Sequence, residues 1–393
     1  MINIIDKKNC SGCKACYNIC PRSCIEMVVD SEGFWYPKVN ESSCVDCGLC
    51  ETVCPEINIY SKKSAYEIPT CYAAWNKDES SRENSSSGGV FTSIAQWIIS
   101  KGGVVFGAGY NEKLEVKHSE VHTDEELAAL RGSKYVQSDI DDTYNSAKKY
   151  LDAGRKVLFT GTPCQIAGLY SFISKDYANL YTCDIVCHGV PSPLVFEKYK
   201  KNMEKLHDSK IKSINFRNKK QGWKSYCVAI EFQNHRKYSN TFVNDAYMKG
   251  FLRNYYLRPS CYSCSYAKIN RSSDITLGDF WGIASKYPEL DDDKGTSLLL
   301  INSDKGKTML DACKDKIVFK ECDLDHAIKG NPSIISSVKV PKGREKFFKD
   351  LNSNDFEFVI KKYMSPLNWT QRKIMFSKRV LGFIKRKWGK FKL

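Results

Sequence analysis

Eight cysteines near the start of the chain fall into two runs with identical spacing. Each run reads Cys-x2-Cys-x2-Cys-x3-Cys and is followed by a proline. Three thiolates at this spacing can converge on one iron–sulfur cubane, whereas the fourth lies further along and reaches a second cubane. We therefore assign to each cubane three cysteines of one run and the last cysteine of the other. The two sets are Cys10, Cys13, Cys16 and Cys54, and Cys44, Cys47, Cys50 and Cys20.

This doubled spacing is typical of bacterial ferredoxins with two 4Fe–4S clusters. A zinc ribbon or a disulfide framework is the alternative, but zinc sites pair two Cys-x2-Cys knuckles and do not use a triple run. The chain has 18 cysteines and starts with no apolar signal segment, so we expect a cytoplasmic protein with reduced thiols. Cys24, just beyond the first run, is predicted to be a small core residue rather than a ligand.

Four later cysteines stand in turns that glycine or proline marks. Cys164 and Cys187 each follow a predicted strand, and Cys261 and Cys264 form a Cys-x2-Cys pair. Ligands of open α/β sheets lie at the carboxyl ends of strands, so these four thiolates could hold a third cubane. Structural thiols are the alternative. Cys183 is the main rival ligand, because strand periodicity would place it on the same face as Cys187.

A second chemical signal is the Ser-Ser-Ser-Gly-Gly run at residues 85–89, directly before an apolar helical pattern. Glycines let backbone amides approach a phosphate, serines add hydroxyl donors, and a helix N-terminus adds its positive dipole end. This combination suits the pyrophosphate of a dinucleotide, and a simple helix cap is the alternative. Residues 131–138 and 161–165 offer similar donors.

Strand and helix patterns alternate from residue 71 onward, which predicts an α/β body behind the cysteine-rich segment. A polar stretch at residues 61–69 is predicted to link the two. The predicted strands are residues 71–75, 104–110, 114–122, 156–159, 180–186, 297–301 and 317–319, with antiparallel strands at 212–216 and 226–232. The predicted helices are residues 88–100, 123–130, 141–152, 166–173, 193–206, 245–253 and 305–314.

The formal net charge of +15 is concentrated at the C-terminal end, where residues 371–393 hold nine Lys or Arg and no Asp or Glu. The rest is much closer to balance, so charge gives no reason to expect nucleic-acid binding. Residues 366–393 are predicted to form a basic amphipathic helix. Such a helix can attach peripherally to the anionic inner face of a membrane, or it can pack on the body or on an acidic partner.

Several motifs occur in an order that resembles the coenzyme F420 hydrogenase/dehydrogenase beta-subunit family. They are residues 85–91, 131–135, 161–165, 184–189, the Cys261–Cys264 pair with residues 274–279, and finally residues 331–334 and 344–348. The resemblance implies an iron–sulfur flavoprotein oxidoreductase with FAD in the body and a 4Fe–4S cluster beside it. Cys164, Cys187, Cys261 and Cys264 match the cysteine motifs of the family, whereas Cys183 does not.

With this resemblance, the α+β chain is divided into a ferredoxin domain at 1–60, an FAD-binding region at 68–155, a third-cluster region at 156–350 and the tail at 366–393. We expect electrons to pass between a hydride donor or acceptor, such as coenzyme F420 or NAD(P)H, and a one-electron redox partner protein through FAD and the clusters. Alternatives are a non-catalytic electron-transfer subunit and a membrane-associated helper of a biosynthetic pathway, for example of a polysaccharide. The expected FAD contacts are Ser86, Ser87, Gly88, Gly89, Lys134, Gln137, Ser138, Thr162 and Gln165.

Overall fold

The computed structural model describes residues 1–58 and 65–364. The N-terminal domain consists of two short helices and one antiparallel hairpin, in which Ile25 pairs with Val39. A residue with left-handed backbone precedes each helix, Lys14 in the first run and Gly48 in the second. The elements are α1 Ala15–Ile19, β1 Ile25–Val29, β2 Trp35–Val39 and α2 Leu49–Thr52.

The body is built around an eight-stranded sheet with the order β13-β3-β12-β11-β7-β6-β4-β5. β4, β6, β7 and β11 run parallel, and antiparallel strands continue the sheet on both sides. The carboxyl ends of the four parallel strands therefore lie at one edge. The strands are β3 Ala65–Asn76, β4 Val104–Tyr110, β5 Val116–Val121, β6 Val157–Gly161, β7 Leu180–Ile185, β11 Ile275–Asp279, β12 Ser297–Ser303 and β13 Ile317–Glu321.

A smaller antiparallel sheet, with the order β10-β9-β8, is inserted between β7 and β11 in the chain. Its strands are β8 Ile211–Asn218, β9 Cys227–Phe232 and β10 Lys237–Thr241. The helices of the body are α3 Glu79–Glu83, α4 Val90–Ser100, α5 Thr143–Asp152, α6 Pro163–Ile173, α7 Pro193–His207, α8 Ala246–Leu252, α9 Asp304–Cys313, α10 Leu324–Gly330, α11 Arg344–Ser353 and α12 Phe356–Met364. Across residues 1–58 and 65–364, no helix combines the length and the apolar character needed to span a bilayer.

Apolar side chains cover both faces of the large sheet, because successive residues of a strand point to opposite sides. On β6, Leu158 packs with α4 and α9, whereas Phe159 packs with α5 and α6. The second of these cores also contains Cys13 and Ala15 of the N-terminal domain. The ferredoxin-like domain is thus seated on the body over α5 and α6.

The predicted α+β class and its α/β body are confirmed. One predicted helix is wrong in type: residues 123–130 hold only the short 3-10 segment Glu126–Ala129, and the Glu126 carboxylate turns back to the amides of His122 and Thr123. The predicted linker at residues 61–69 is partly wrong, because β3 begins at Ala65. β11 was not predicted, and β10 was not placed as a separate strand of the predicted antiparallel region. The predicted helix at residues 366–393 lies outside the described residues. The large sheet contains strands from both predicted regions of the body, residues 68–155 and residues 156–350, so the two regions share one sheet.

Candidate functional site

Four cysteines from three separate segments of the chain line one cavity at the carboxyl edge of the large sheet. Cys164 is the second residue of α6, directly after β6, and Cys187 follows the end of β7. Cys261 lies in the 3-10 turn Pro259–Ser263, and Cys264 follows that turn. The structure therefore brings together the four thiols for which the sequence predicts a third cluster.

Burial raises the pKa of each of these four thiols, because the cavity removes water from the thiolate form. The pKa of Cys261 rises to about 11. Negative charge on Cys187, Cys264 and Cys261 would raise the pKa of Cys164 further. Four such groups become thiolates together only when positive charge is bound among them. The irons of a cubane supply that charge.

The surroundings of the cavity suit an anionic cluster. The backbone amide of Val190 donates to the sulfur of Cys261 at 3.4 Å, and the hydroxyl of Thr162 lies 3.1 Å from the sulfur of Cys164. The buried guanidinium of Arg271 lines the same cavity. Hydrogen bonds to ligand sulfurs and nearby positive charge both stabilise the cluster, so these residues fit a 4Fe–4S group.

His188 also lines this cavity but is engaged with a neighbouring loop. Its Nε2 lies 2.6 Å from Oδ1 of Asn254, and its ring meets Phe251 edge-on with centroids 5.1 Å apart. Burial lowers the pKa of His188, which favours the neutral imidazole. Its observed contacts are those of a structural hydrogen-bonding residue.

Two further cavities lie in the N-terminal domain, and each is lined by one of the sets of four cysteines assigned from spacing. Each cavity contains three cysteines of one run and the last cysteine of the other, so the two runs cross over. Cys24 is buried but also lines the second cavity, with its sulfur 3.3 Å from that of Cys20. The sets are Cys10, Cys13, Cys16 and Cys54, and Cys20, Cys44, Cys47 and Cys50.

Within residues 1–58 and 65–364, no group of three or more Cys, His, Asp or Glu side chains converges closely enough to hold a single metal ion. A cubane distributes its four protein ligands over four irons, so its thiolates stand further apart than the ligands of one ion. Each of the three cavities is lined by at least four thiols, which is the number of protein ligands that a cubane takes.

The body cavity and the first ferredoxin cavity share a wall. Ser11 and Glu56 line both of them. Gly168 lies one helical turn after Cys164 on α6, and a Cβ added to it would lie 3.0 Å from the sulfur of Cys13. Residues four apart share a helix face and are separated by about 6 Å along the axis. Helix α6 therefore carries a thiol of one cavity and contacts a thiol of the other.

Cys183 does not reach the body cavity. β7 ends at Ile185, so strand alternation stops before Cys187 and the expectation that both cysteines share a strand face is wrong. The side chain of Cys183 is only 3% exposed and packs with Leu158 and Tyr181 in an apolar cluster. Cys187, and not Cys183, lines the cavity.

The Ser-Gly run expected to contact a flavin dinucleotide lies at the same edge of the sheet, between β3 and α4. Gly89 precedes α4 with a φ of 82°, and the amide of Gly88 donates to the hydroxyl of Ser297 at 3.0 Å. The hydroxyl of Ser87 is buried and has no hydrogen-bond partner in the described chain. A buried hydroxyl without a partner, next to a helix N-terminus, fits an oxygen of a phosphate group.

Two cationic side chains that the sequence motifs did not indicate converge on this run. Arg217 donates to the carbonyl of Ser86 at 3.0 Å and forms a two-pronged ion pair with Asp279 at 2.7 and 2.9 Å. Lys219 donates to the carbonyl of Ser87 at 2.9 Å. Both belong to the inserted small sheet: Arg217 is near the end of β8, and Lys219 is the first residue after it. Only the fold brings that segment to the edge of the large sheet.

A stacked pair of tryptophans lies beside these cations. The rings of Trp223 and Trp281 are parallel within 4°, with centroids 4.6 Å apart. The indole nitrogen of Trp223 donates to Asp279 at 2.7 Å, and the guanidinium of Arg217 lies 5.5 Å from the ring centre of Trp281. Asp279, the last residue of the 274–279 motif, therefore belongs to one polar and aromatic network with Arg217, Trp223 and Trp281.

Ser86 and Lys134, two other expected FAD contacts, already have partners. The hydroxyl of Ser86 accepts from the amide of Ser133 at 2.7 Å. The ammonium of Lys134 donates to the carbonyls of Ala129 and Arg131 at 3.0 and 2.9 Å. Burial lowers the pKa of Lys134 to about 7.

The remaining expected contacts lie on the side of the ferredoxin-like domain. Gln165 accepts from the amide of Thr162 at 2.9 Å and so closes the first turn of α6. The hydroxyl of Ser138 lies 2.6 Å from Nδ1 of His118. Gln137 accepts from Arg258 at 3.1 Å. The polar atoms of these side chains are therefore already hydrogen-bonded within the protein, whereas residues 86–89 lie beside the cations Arg217 and Lys219.

Comparison with known families identifies three matching segments. Two of them match the family described as "Coenzyme F420 hydrogenase/dehydrogenase, beta subunit": residues 71–143 match the model of its N-terminal part, and residues 154–327 match the model of its C-terminal part. Residues 9–57 match the "4Fe-4S dicluster domain" model. The two beta-subunit models together match more than half of the chain.

Similar curated proteins include proteins of methanogens and several ferredoxins. One F(420)H(2) dehydrogenase subunit, from Methanosarcina mazei, is 22% identical over 171 residues, covering 41% of this chain and 48% of that protein. An uncharacterized protein of Methanocaldococcus jannaschii is 27% identical over 204 residues, covering 44% and 54%. The matches thus span about half the length of these two relatives. "Ferredoxin 7Fe" of Hydrogenibacillus schlegelii is 35% identical over 71 residues, covering 18% of this chain and 85% of the ferredoxin.

Among solved structures, a chain of the xenon-derivatised F420-reducing NiFe hydrogenase complex from Methanosarcina barkeri aligns with a TM-score of 0.48 at 16% sequence identity. The alignment covers 75% of this chain and 97% of that chain.

Proposed function

Because the chain belongs to the coenzyme F420 hydrogenase/dehydrogenase beta-subunit family and carries a 4Fe–4S dicluster domain, we propose that it is an iron–sulfur flavoprotein oxidoreductase. It passes electrons between a hydride donor or acceptor and a one-electron partner protein. FAD, when bound, supplies the exchange of a hydride as an electron pair that can leave singly. The protein supplies the binding sites and the distances between them.

The observation that carries this proposal is the contact between the two kinds of cavity. Helix α6 presents Cys164 to the body cavity and Gly168 to Cys13 of the first ferredoxin set. Ser11 and Glu56 line both cavities. A cluster in each cavity would therefore face its neighbour across one layer of side chains, which suits electron transfer between them.

Residues 86–89 and the cations beside them are the proposed binding site for the FAD pyrophosphate. The partnerless hydroxyl of Ser87 and the N-terminus of α4 would face phosphate oxygens. Lys219 adds positive charge on the same side, and Arg217, whose charge is paired with Asp279, holds the carbonyl of Ser86 in place. A dianionic pyrophosphate is stabilised by such an arrangement of amides, hydroxyls and cations. Five other residues remain predicted FAD contacts, although their polar atoms already form hydrogen bonds within the protein: Lys134, Gln137, Ser138, Thr162 and Gln165.

The one-electron partner is proposed to dock at the second ferredoxin set. Cys47 of that set is exposed, and the apolar side chains of Val45 and Leu49 beside it are 60% and 39% exposed. Cys13 of the first set is instead buried against the body. The proposed order is therefore body cluster, first ferredoxin cluster, second ferredoxin cluster and partner, in either direction.

The decisive experiment is anaerobic purification of the full chain followed by iron, sulfide and flavin analysis. Three cubanes require about twelve iron atoms per chain, and the proposal also requires about one FAD. About eight iron atoms without flavin would contradict both the body cluster and the catalytic role. About twelve iron atoms without flavin would instead favour a non-catalytic electron-transfer subunit.

The hydride donor is tested on the same protein. Reduced coenzyme F420, NADH and NADPH are supplied separately, and bleaching of flavin and cluster absorbance is followed. The family description and the name of the Methanosarcina mazei relative make coenzyme F420 the first candidate. Failure of all three donors to reduce a protein with full cofactor content would contradict the proposed donor classes, while leaving the cluster assignment intact.

The basic tail and the domain boundaries remain predictions. Residues 366–393 lie outside the described residues, so peripheral attachment of a cytoplasmic protein to the inner membrane face is tested directly. Flotation with anionic vesicles should recover the full chain but not a chain truncated after Ser365. Equal recovery of the two chains would contradict a membrane role for the tail.

A further inference from the structure

Arg258 belongs to the body, but its side chain extends to the N-terminal domain. It lies three residues before Cys261, whose amide donates to the Arg258 carbonyl at 2.9 Å. The Arg258 guanidinium donates to the carbonyl of Cys10 at 2.8 Å and to the sulfur of Cys10 at 3.4 Å. One side chain thus connects the third-cluster segment with a thiol of the first ferredoxin set.

The other contacts of this guanidinium are with uncharged groups. It donates to the side-chain oxygen of Gln137 at 3.1 Å and to the carbonyl of Trp35 at 2.9 Å. It also lies 4.4 Å from the ring centre of Tyr36. The residue is 0% exposed, so water does not screen its charge.

Arg258 has no carboxylate partner within 4.0 Å in the part of the chain that the structure describes. Glu32, at the same domain boundary, is already paired with Arg344 at 2.7 and 2.5 Å. The buried Arg271 of the body cavity, by comparison, faces Asp184 at 3.7 Å. A fully buried charge without a counter-charge is strongly unfavourable, so an anion must compensate Arg258.

Gly12 leaves the space that the guanidinium occupies. It lies between Cys10 and Cys13 and has a φ of 73°. A Cβ at this position would lie 2.9 Å from the central carbon of the Arg258 guanidinium and 2.5 Å from the side-chain nitrogen of Gln137. The cysteine loop therefore passes directly over the charge, with nothing larger than a hydrogen atom between them.

We propose that Arg258 is the counter-ion of the cluster held by Cys10, Cys13, Cys16 and Cys54, and that it raises the reduction potential of this cluster. The proposal rests on the ligand assignment proposed above. A cubane with four thiolates is anionic, and one-electron reduction adds one more negative charge without making or breaking a bond. The buried guanidinium stabilises the reduced form more than the oxidised form, because potential follows local charge and hydrogen bonds to sulfur.

In this role, Arg258 influences which of the clusters holds the transferred electron. It favours residence of the electron on the cluster next to the body cavity, between the reaction centre and the exposed second ferredoxin set. Arg258 and Cys261 belong to one turn, in which the Cys261 amide donates to the Arg258 carbonyl. The same turn therefore provides a ligand for the body cluster and the counter-ion of the first ferredoxin cluster.

The test is a redox titration of anaerobically purified full-length protein, with dithionite as the electron donor and EPR as the readout. Arg258→Gln removes the charge, and Arg258→Lys keeps it. The matched control is the double variant Glu32→Gln/Arg344→Gln, which removes a buried arginine together with its own carboxylate at the same boundary and so leaves the net charge unchanged. We expect Arg258→Gln to make one cluster at least tenfold harder to reduce, which is 59 mV for one electron. Arg258→Lys should shift that cluster by less than half as much, and the double variant Glu32→Gln/Arg344→Gln should leave its potential unchanged.

Iron analysis on the same samples separates the possible failures. Loss of one cluster in Arg258→Gln but not in Arg258→Lys would also support the counter-ion role, because lysine keeps the positive charge that glutamine lacks. The counter-ion role would be overturned by unchanged potentials or by equal shifts in both Arg258 variants. It would also be overturned by an equal shift in the Glu32→Gln/Arg344→Gln variant, or by loss of the cluster in both Arg258 variants. Absence of ferredoxin clusters from the unmutated protein would instead contradict the proposed function.

Discussion

The position of one side chain relative to a strand end decides which cysteine can line the body cavity. Cys187 lies two residues beyond the end of β7 and turns into the cavity. Cys183 lies inside the strand and contributes to an apolar cluster. Their spacing of four residues alone could not separate a ligand from a core thiol.

Replacement of each of these two cysteines by alanine should have different effects on iron content. Cys187→Ala should lower iron by about four atoms per chain, because one ligand of a cubane is lost. Cys183→Ala should keep the full iron content and only reduce packing in the core. Iron analysis after anaerobic purification measures both. Equal losses in the two variants would contradict the placement of Cys187 at the cavity.

His118 is a buried titratable side chain that contacts the segments leading to Ser138 and Thr160. Its nitrogens contact Ser138 and the carbonyl of Thr160, and burial lowers its pKa to about 4. The folded state thus binds a proton less readily than the unfolded chain, whose histidine titrates near 6.5. Stability from this group is present above about pH 6.5 and is lost as the pH falls toward 4.

We therefore expect the free energy of unfolding to fall by about 2 kcal/mol between pH 7 and pH 5 through His118 alone. Urea unfolding at both pH values measures this change, and His118→Gln is the control because it cannot take up the proton. The variant should show a smaller decrease than the unmutated protein. The same decrease in both proteins would show that other groups cause the pH dependence.

At the scale of elements, α6 has the most consequential position. Its N-terminus points into the body cavity, so its partial positive charge faces the thiol of Cys164. Its next turn packs on Cys13 through Gly168. A glycine in a helix interior is usually unfavourable, and here the close approach of Cys13 explains it.

The first turn of α6 is held by Thr162 and Gln165. The hydroxyl of Thr162 lies 3.1 Å from the side-chain oxygen of Gln165 and 3.1 Å from the sulfur of Cys164. Thr162→Val removes this hydroxyl with little change in shape, so it should destabilise the protein by about 1 kcal/mol. Thr162→Ser should remain close to the unmutated protein. Thermal midpoints of cluster-loaded samples provide the comparison, and equal midpoints for Val and Ser would contradict the role of the hydroxyl.

At the scale of the whole molecule, the N-terminal domain is attached to the body by polar contacts as well as by the shared core. Glu32 in the β1–β2 turn pairs with Arg344 at the start of α11, and both side chains are at least 85% buried. Arg344 also donates to the carbonyl of Leu257 at 2.8 Å. This pair therefore joins the ferredoxin-like hairpin to the last helices of the body.

A double-mutant cycle tests that attachment. Glu32→Gln and Arg344→Gln should each cost about 3–5 kcal/mol, because each leaves a buried charge without its partner. The double variant should cost less than the sum of the two single variants. Loss of cluster absorbance on heating reports the stability of the N-terminal domain. Additive effects would show that the pair does not couple the domains.

The sequence by itself determined the α+β class and most of the alternation of helices and strands, and it predicted which of the first eight cysteines line each cavity of the N-terminal domain. These features depend on local spacing: a strand or helix follows from the periodicity of a few residues, and three thiolates two residues apart must converge. The helix wrongly predicted at residues 123–130 also has a local cause. The Glu126 carboxylate accepts from the backbone amide of His122, and only a short 3-10 segment forms there.

Only the tertiary structure decided how the distant parts meet. Cys164 and Cys187 follow the parallel strands β6 and β7, whereas the Cys261–Cys264 pair belongs to the segment before β11. The fold brings all four thiols to one cavity. Arg217, Lys219 and Arg258 belong to segments without a recognisable motif, and they gain their roles from burial and from neighbours far away in the chain. Burial and charge balance depend on three-dimensional packing, and spacing along a sequence does not specify them.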